Sequence, residues 1–295
     1  ARLGPSPSKS KPPGAAAGGR GLSKDMDTNV ASLKAAFDDA ADLSSRKLIL
    51  GDPPGKRIVI MFLRSMVDLA VVGESIANPL INRNPKRFVG LAGDSLIDRI
   101  RLTLPTTRGI EIVETLEDAI SALLEGHAIG LVDGAARALS IGVRRTPARA
   151  LHQPASEMTV MGPQVAFNES VEEGVSLVRT RLRTPDLRVE RMVIGRKSRT
   201  EVRLLYVDGI APPGIVSEVR RRLQGIDTDM ILDAGMIRNL IIERPFSPFL
   251  QERLTERPDT VAVELNHGLA AVLLDGSPFA LLLPSQFFTV FEAAE

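Results

Sequence analysis

The apolar positions of this chain follow two kinds of spacing, and the same succession of spacings occurs twice. Val30, Leu33 and Phe37 recur at helical intervals, as do Val171, Val175, Val178 and Leu182. Ser170 with Glu173 three residues later predicts a capping box at the start of the second of these helices. Short apolar runs follow at 47–50 and 57–63, separated by Gly51-Asp52-Pro53-Pro54-Gly55. Proline and glycine impose a turn there, so the runs predict a hairpin or two adjacent strands. Their counterparts are 189–194 and 201–207. Helical patterns come next, at 71–80 and 94–102 in the first half and at 214–223 and 230–242 in the second. A last helix at 116–125, with Thr115 as N-cap, answers to one at 258–266 that places Pro258 in its first turn. Each half then closes on a second hairpin, 128–132 with 137–143 and 270–274 with 279–283. Asp133-Gly134 and Asp275-Gly276 stand at the turns, a pairing that accommodates the positive φ of a tight hairpin.

The two halves superpose as sequence. At an offset of 144, Leu33 falls on Leu177, Leu43 on Leu187, and Leu48-Ile49-Leu50-Gly51 on Met192-Val193-Ile194-Gly195. At 142, Leu131-Val132-Asp133-Gly134 falls on Leu273-Leu274-Asp275-Gly276. Matches that keep their order over so long a stretch indicate an internal duplication. The fold class that follows is α/β (α+β): two tandem, similar subdomains, each a small mixed sheet of two hairpins with packed helices. Residues 1–26, rich in Pro, Gly, Ser and Ala, are expected to form a disordered basic tail. The first subdomain is expected over 27–146, a proline-bearing linker over 147–163, and the second subdomain over 164–295.

Composition narrows the chemistry. There is no cysteine among the 295 residues, which excludes disulfides, thiolate metal sites and cysteine nucleophiles. His127, His152 and His267 are the three histidines, and no spacing among them suits a metal. Asp133 and Asp275 look like a symmetric pair of acids, but the first position of a hairpin turn already gives them a structural role. No P-loop string and no Gly-x-Ser-x-Gly occurs. No catalytic, cofactor-binding or metal-ligating residue is therefore assigned, no cofactor is implied, and the chain is expected not to be an enzyme. No stretch reads as a spanning helix, because Asp275, Pro278 and Pro284 interrupt the most apolar one.

Charge is uneven. The first 24 residues carry five basic side chains and no acid, which leaves 32 basic against 36 acidic residues in the body. Arginine is dense at Arg179, Arg181, Arg183, Arg188, Arg191, Arg196 and Arg199, and again at Arg220-Arg221-Arg222. Such a segment, 179–199, could meet nucleic-acid phosphates. With aromatics at 4% and Tyr206 the single tyrosine, base-stacking platforms are scarce. A salt-bridged surface or a protein contact fits the pattern better, and no nucleic-acid partner is expected. The twofold repeat also admits a second reading, a small-molecule binding module whose two lobes close on a ligand.

Several strings resemble the A subunits of GerA-type spore germinant receptors. They are Met161-Gly162-Pro163, Phe167-Asn168-Glu169, Ile194-Gly195-Arg196 and Tyr206-Val207-Asp208-Gly209-Ile210, then Pro245-Phe246-Ser247-Pro248-Phe249, Thr255-Glu256-Arg257-Pro258-Asp259 and Asp275-Gly276-Ser277-Pro278. The likeness covers about 27–295. It departs at Gln164, where the family usually has arginine, and at Arg64-Ser65-Met66, where it usually has Asp-Gly-Leu. The resemblance implies a non-catalytic, cytoplasmic, core-facing domain at the spore inner membrane, with transmembrane helices expected after Glu295. It also implies receptor B and C subunits as partners, a homo-oligomer of the A subunit, and a part in coupling nutrient sensing to ion release.

Overall fold

The computed structural model describes residues 19–50, 55–82, 88–105, 109–145, 165–241 and 253–284. Most of the expected tail, the Gly51–Pro54 turn, the linker at 147–163 and the Pro245–Phe249 string lie outside the described residues.

The first lobe opens with α1 (Met26–Ala36), whose N-cap Asp25 accepts from the amides of Asp27 and Thr28. Strands β1 (Leu43–Leu50) and β2 (Lys56–Leu63) pair antiparallel along their whole length. A helical stretch follows: α2 (Leu69–Val71), a π-helical turn (Val72–Ala77) and α3 (Asn78–Asn82). The widening lies directly before Pro79, which has no N–H with which to continue the α ladder. Then come α4 (Gly93–Thr103), β3 (Ile110–Val113), α5 (Leu116–Leu124), β4 (His127–Val132) and β5 (Ala138–Gly142).

The second lobe repeats the plan with α6 (Val171–Arg181), β6 (Leu187–Ile194), β7 (Thr200–Val207), α7 (Pro213–Gln224) and α8 (Ala234–Ile241). It ends with β8 (Arg253–Thr255), α9 (Pro258–Asn266), β9 (Ala270–Leu274) and β10 (Ala280–Leu283).

The two five-stranded sheets have identical order, β1-β2-β4-β5-β3 and β6-β7-β9-β10-β8. Every neighbouring pair is antiparallel, so the sheets are not mixed as the sequence suggested. The difference comes from β3 and β8, short strands that hydrophobic spacing did not reveal. Each enters at the far edge, and because β5 separates β3 from β4, the helical crossover between those two parallel strands leaves no parallel neighbours.

Helices cover both faces of each sheet, which explains why the run Ile58–Leu63 is apolar without alternation. Ile58, Ile60 and Phe62 pack with Ile76, Leu96 and Ile100 on one face, while Met61 and Leu63 pack with Leu33 and Leu123 on the other. In the second lobe, Leu205 and Val207 meet Val175 and Leu265, and Val202 and Leu204 meet Leu223 and Ile237. The helix at 230–242 expected from spacing begins only at Ala234, because the preceding backbone is held by the β6–β7 turn: the amides of Arg196 and Lys197 donate to the carbonyls of Thr228 and Asp229.

Comparison of the lobes sharpens the repeat. The first two strands of each lobe keep the offset of 144, but the buried partner of Leu33 on the first helix is Val178, not Leu177. The α1–β1 loop is one residue longer than the α6–β6 loop, and that residue absorbs the difference. The repeat also begins earlier than 27. The Leu22 amide donates to Glu114 O and Leu116 to Arg20 O, as Phe167 donates to Glu256 O in the second lobe. Leu22 is buried, so residues 19–26 belong to the first lobe and not to a free tail.

Candidate functional site: the joint between the lobes

The loop that differs between the copies, residues 37–42, is where the lobes meet. Asp42 and Arg179 lie 137 positions apart in sequence and form a bidentate pair, with Nε 2.6 Å from Oδ2 and Nη2 2.8 Å from Oδ1. Both side chains are almost wholly enclosed, at 2% and 1% exposure. The Ser65 hydroxyl donates to Asp42 Oδ2 at 2.7 Å, and the Phe37 ring centroid lies 5.9 Å from the guanidinium carbon. Burial pushes the Asp42 carboxyl up, but Arg179 and Ser65 outweigh it and hold the group below its ordinary value.

Around this pair the Ala41 amide donates to Val189 O at 2.8 Å. Arg188 Nη1 donates to Ala36 O at 3.3 Å and its Nη2 to Asp208 Oδ2 at 2.8 Å. Beside the joint lies an open notch of about 430 Å³, lined by Asp38, Asp39, Arg188, Glu190, Arg191 and Tyr206. Its polar groups are mutually engaged: the Tyr206 hydroxyl donates to Glu190 Oε1, and Arg220 holds the other oxygen at 2.8 Å. Burial and the bond to Glu190 push the Tyr206 phenol up to about 12.

The residues singled out from sequence take structural positions. Gly134 and Gly276 have φ of 82° and 88°, as hairpin turns require. Their amides donate to Lys24 O and Glu169 O, which pins the entry of each lobe's first helix to its last hairpin. Asp275 Oδ1 accepts from the Val171 amide at 3.2 Å, and Asp133 pairs with Arg57 at 3.1 Å. Ser170 caps α6 through the Glu173 amide, but its own amide donates to Asn168, whose side chain also binds Glu173. The expected capping box is thus completed through asparagine.

His127 Nδ1 is 2.8 Å from Ser140 Oγ, a cross-strand contact between β4 and β5 in which the serine is only 2% exposed. Its enclosure makes it a tie between strands, out of reach of a substrate. Among the described residues, no group of three or more His, Asp or Glu could hold a metal ion, and no helix is long and apolar enough to cross a membrane.

Most of the arginines in the rich segment are paired with acids, while Arg181 and Arg183 donate to backbone carbonyls. Arg179 binds Asp42, Arg188 binds Asp208, Arg191 binds Glu201, and Arg196 binds Asp227 and Asp229. Arg220 binds Glu190, and both Arg221 and Arg222 bind Glu218, which their hydrogen bonds pull down to about 2. A side chain already neutralised by a neighbour has little left for a phosphate.

The motif strings likewise carry the second lobe's framework. Thr255 ends β8, and Glu256 receives the Phe167 amide. Arg257 is the N-cap of α9 and pairs with Asp259 at 2.5 Å. Residues 31–295 match the family model described as Bacillus/Clostridium GerA spore germination protein.

The chain belongs to the GerA spore germination family.

Spore germination protein KA of Bacillus subtilis is 30% identical over 275 residues, covering 93% of this chain and 49% of that protein. Spore germination protein GerLA of Bacillus cereus is 41% identical over 181 residues, covering 61% and 37%. The chain thus spans about half the length, or less, of these GerA relatives. The crystal structure of the N-terminal domain of the A subunit of the Bacillus megaterium spore germinant receptor GerK3 superposes with a TM-score of 0.72 at 29% identity. That superposition covers 92% of this chain and 98% of the GerK3 domain, so the two-lobed α/β fold is that of the GerK3 domain.

Proposed function

We propose that this chain is the N-terminal domain of a spore germinant receptor A subunit. In this reading it works without catalysis, helping to assemble the receptor and to couple nutrient sensing to ion release. The observation that carries the reading is the match to the GerK3 domain over 98% of that domain's length, in both lobes and not in one alone. The partners are the receptor B and C subunits and further copies of the A subunit. The domain lies on the cytoplasmic, core side of the spore inner membrane, and the membrane-spanning part belongs to the portion of such subunits that these residues do not represent. A further relative, YfkQ of Bacillus subtilis, is a membrane protein 27% identical over 276 residues, which supports membrane attachment.

Removal of this domain from the full-length A subunit tests the proposal. The expected result is loss of nutrient-triggered ion release and of co-purification with the B and C subunits. Spores that germinate normally without the domain would overturn it. For the two-lobed ligand-binding alternative, Asp42 and Arg179 between the lobes are already paired with each other and enclosed.

A further inference from the structure

The internal duplication supplies its own control for the joint. Both lobes make the same turn before their first strand: the Leu43 amide donates to Ala40 O, and the Leu187 amide to Thr184 O. Asp42 in the first lobe corresponds to Asp186 in the second, and the next amides repeat as well, Arg64 to Asp42 O and Asp208 to Asp186 O. The equivalent backbones nevertheless have different fates. Asp186 stays exposed beside Thr184, while Asp42 is enclosed by the other lobe.

Three features occur in the first copy only. Asp38 and Asp39 are consecutive left-handed residues, with φ of 49° and 47°, in a loop one residue longer than its duplicate. Such conformations are unfavourable for side-chain-bearing residues and persist where the surroundings impose them. Ala41 offers an amide to Val189 O where the second copy has Pro185, which has none. Ser65 offers a hydroxyl to Asp42 where the second copy has Gly209. On the receiving side, Arg179 of α6 and the edge of β6 accept the loop.

We propose that the 37–42 loop is a latch: Ala41 and Asp42 at its end bind the second lobe and make the two duplicated units one rigid body. A displacement applied to either lobe is then carried to the other without a change in the angle between them. The inference stands apart from the receptor reading, because it concerns the isolated 295-residue chain.

Residual dipolar couplings on that chain provide the test, with two variants that copy the second lobe's own solution. Ala41→Pro places proline at the second position of the turn, where Pro185 already stands, and removes only the interlobe donor. Deletion of Asp39 shortens the loop to its duplicate's length. In the unaltered chain one alignment tensor should fit the amides of both sheets. In the variants each sheet should keep its own couplings but require a separate tensor. A single shared tensor in both variants would overturn the latch, as would two tensors in the unaltered chain. Collapse of the first lobe's amide dispersion in both variants would overturn it too, since the loop would then serve that lobe's own fold.

Discussion

Replacing Arg179 by methionine removes the cation from a carboxylate with 2% of its side chain exposed and leaves Asp42 with the Ser65 hydroxyl as its remaining side-chain donor. Breaking a buried ion pair from one side costs about 3–5 kcal/mol, because the orphaned charge remains desolvated. At 1.4 kcal/mol per tenfold, the docked arrangement weakens by roughly a hundredfold to several thousandfold. The loss that unfolding experiments record is bounded by the docking free energy itself, since Asp42 regains water once the lobes part. The assay is urea denaturation of Arg179→Met, Asp42→Leu and the double variant. Each single change should lower stability and split one transition into two. The double variant should recover most of the loss, because two apolar groups of similar size leave no buried charge. Arg196→Ala is the control: its side chain is 64% exposed, and exposed pairs contribute about 0–1 kcal/mol. If Arg179→Met behaved like Arg196→Ala, or the cycle showed no coupling, the joint as described would be wrong.

Acid offers an independent probe. A carboxylate whose folded value lies below its unfolded one, about 3.9, contributes stability that is complete above that value and lost as pH falls through the folded value. Docking should therefore be insensitive to pH from neutrality to about 4 and weaken below it, and the weakening should be absent in Asp42→Asn; scattering profiles across pH would show it. Gly126→Ala and Gly268→Ala place a side chain at φ of 85° and 92°, each at a cost of about 1–2 kcal/mol. The first should cost more, because its Cβ would lie 2.9 Å from Met66 O against 3.2 Å from Ile210 O for the second; thermal unfolding ranks them. Asp275→Ala deprives the first amide of α6 of its acceptor and should lower the single shared unfolding transition by about 0.5–2 kcal/mol.

Spacing was enough for much of this molecule. The period of 3.6 in Val30, Leu33 and Phe37, the apolar runs around Pro53-Pro54, and the two Asp-Gly turns are local properties, set by side-chain direction and backbone sterics within a few residues. Because they recur in order, the twofold architecture was legible too. The four-residue β3 and three-residue β8 were not, because segments so short carry too few positions to show a period. Nor could sequence show that residues 19–26 are held in place, since their partners Glu114 and Thr115 lie some 90 residues on.

The arginine-rich segment marks the boundary most clearly. Composition shows many cations and enough acids to match them, but which pairs form depends on strand register and helix placement. β6 faces β7 so that Arg191 meets Glu201, and α7 crosses so that Arg220 meets Glu190. Arg179 has the same residue type as its neighbours in sequence, and Asp42 the same as its duplicate Asp186. What separates them is that the second lobe packs against the 37–42 loop, so that Asp42 and Arg179 meet where water is excluded, and a charge pair gains its strength from that exclusion. The repeat was written in the chain; the joint between its copies exists only once the chain is folded.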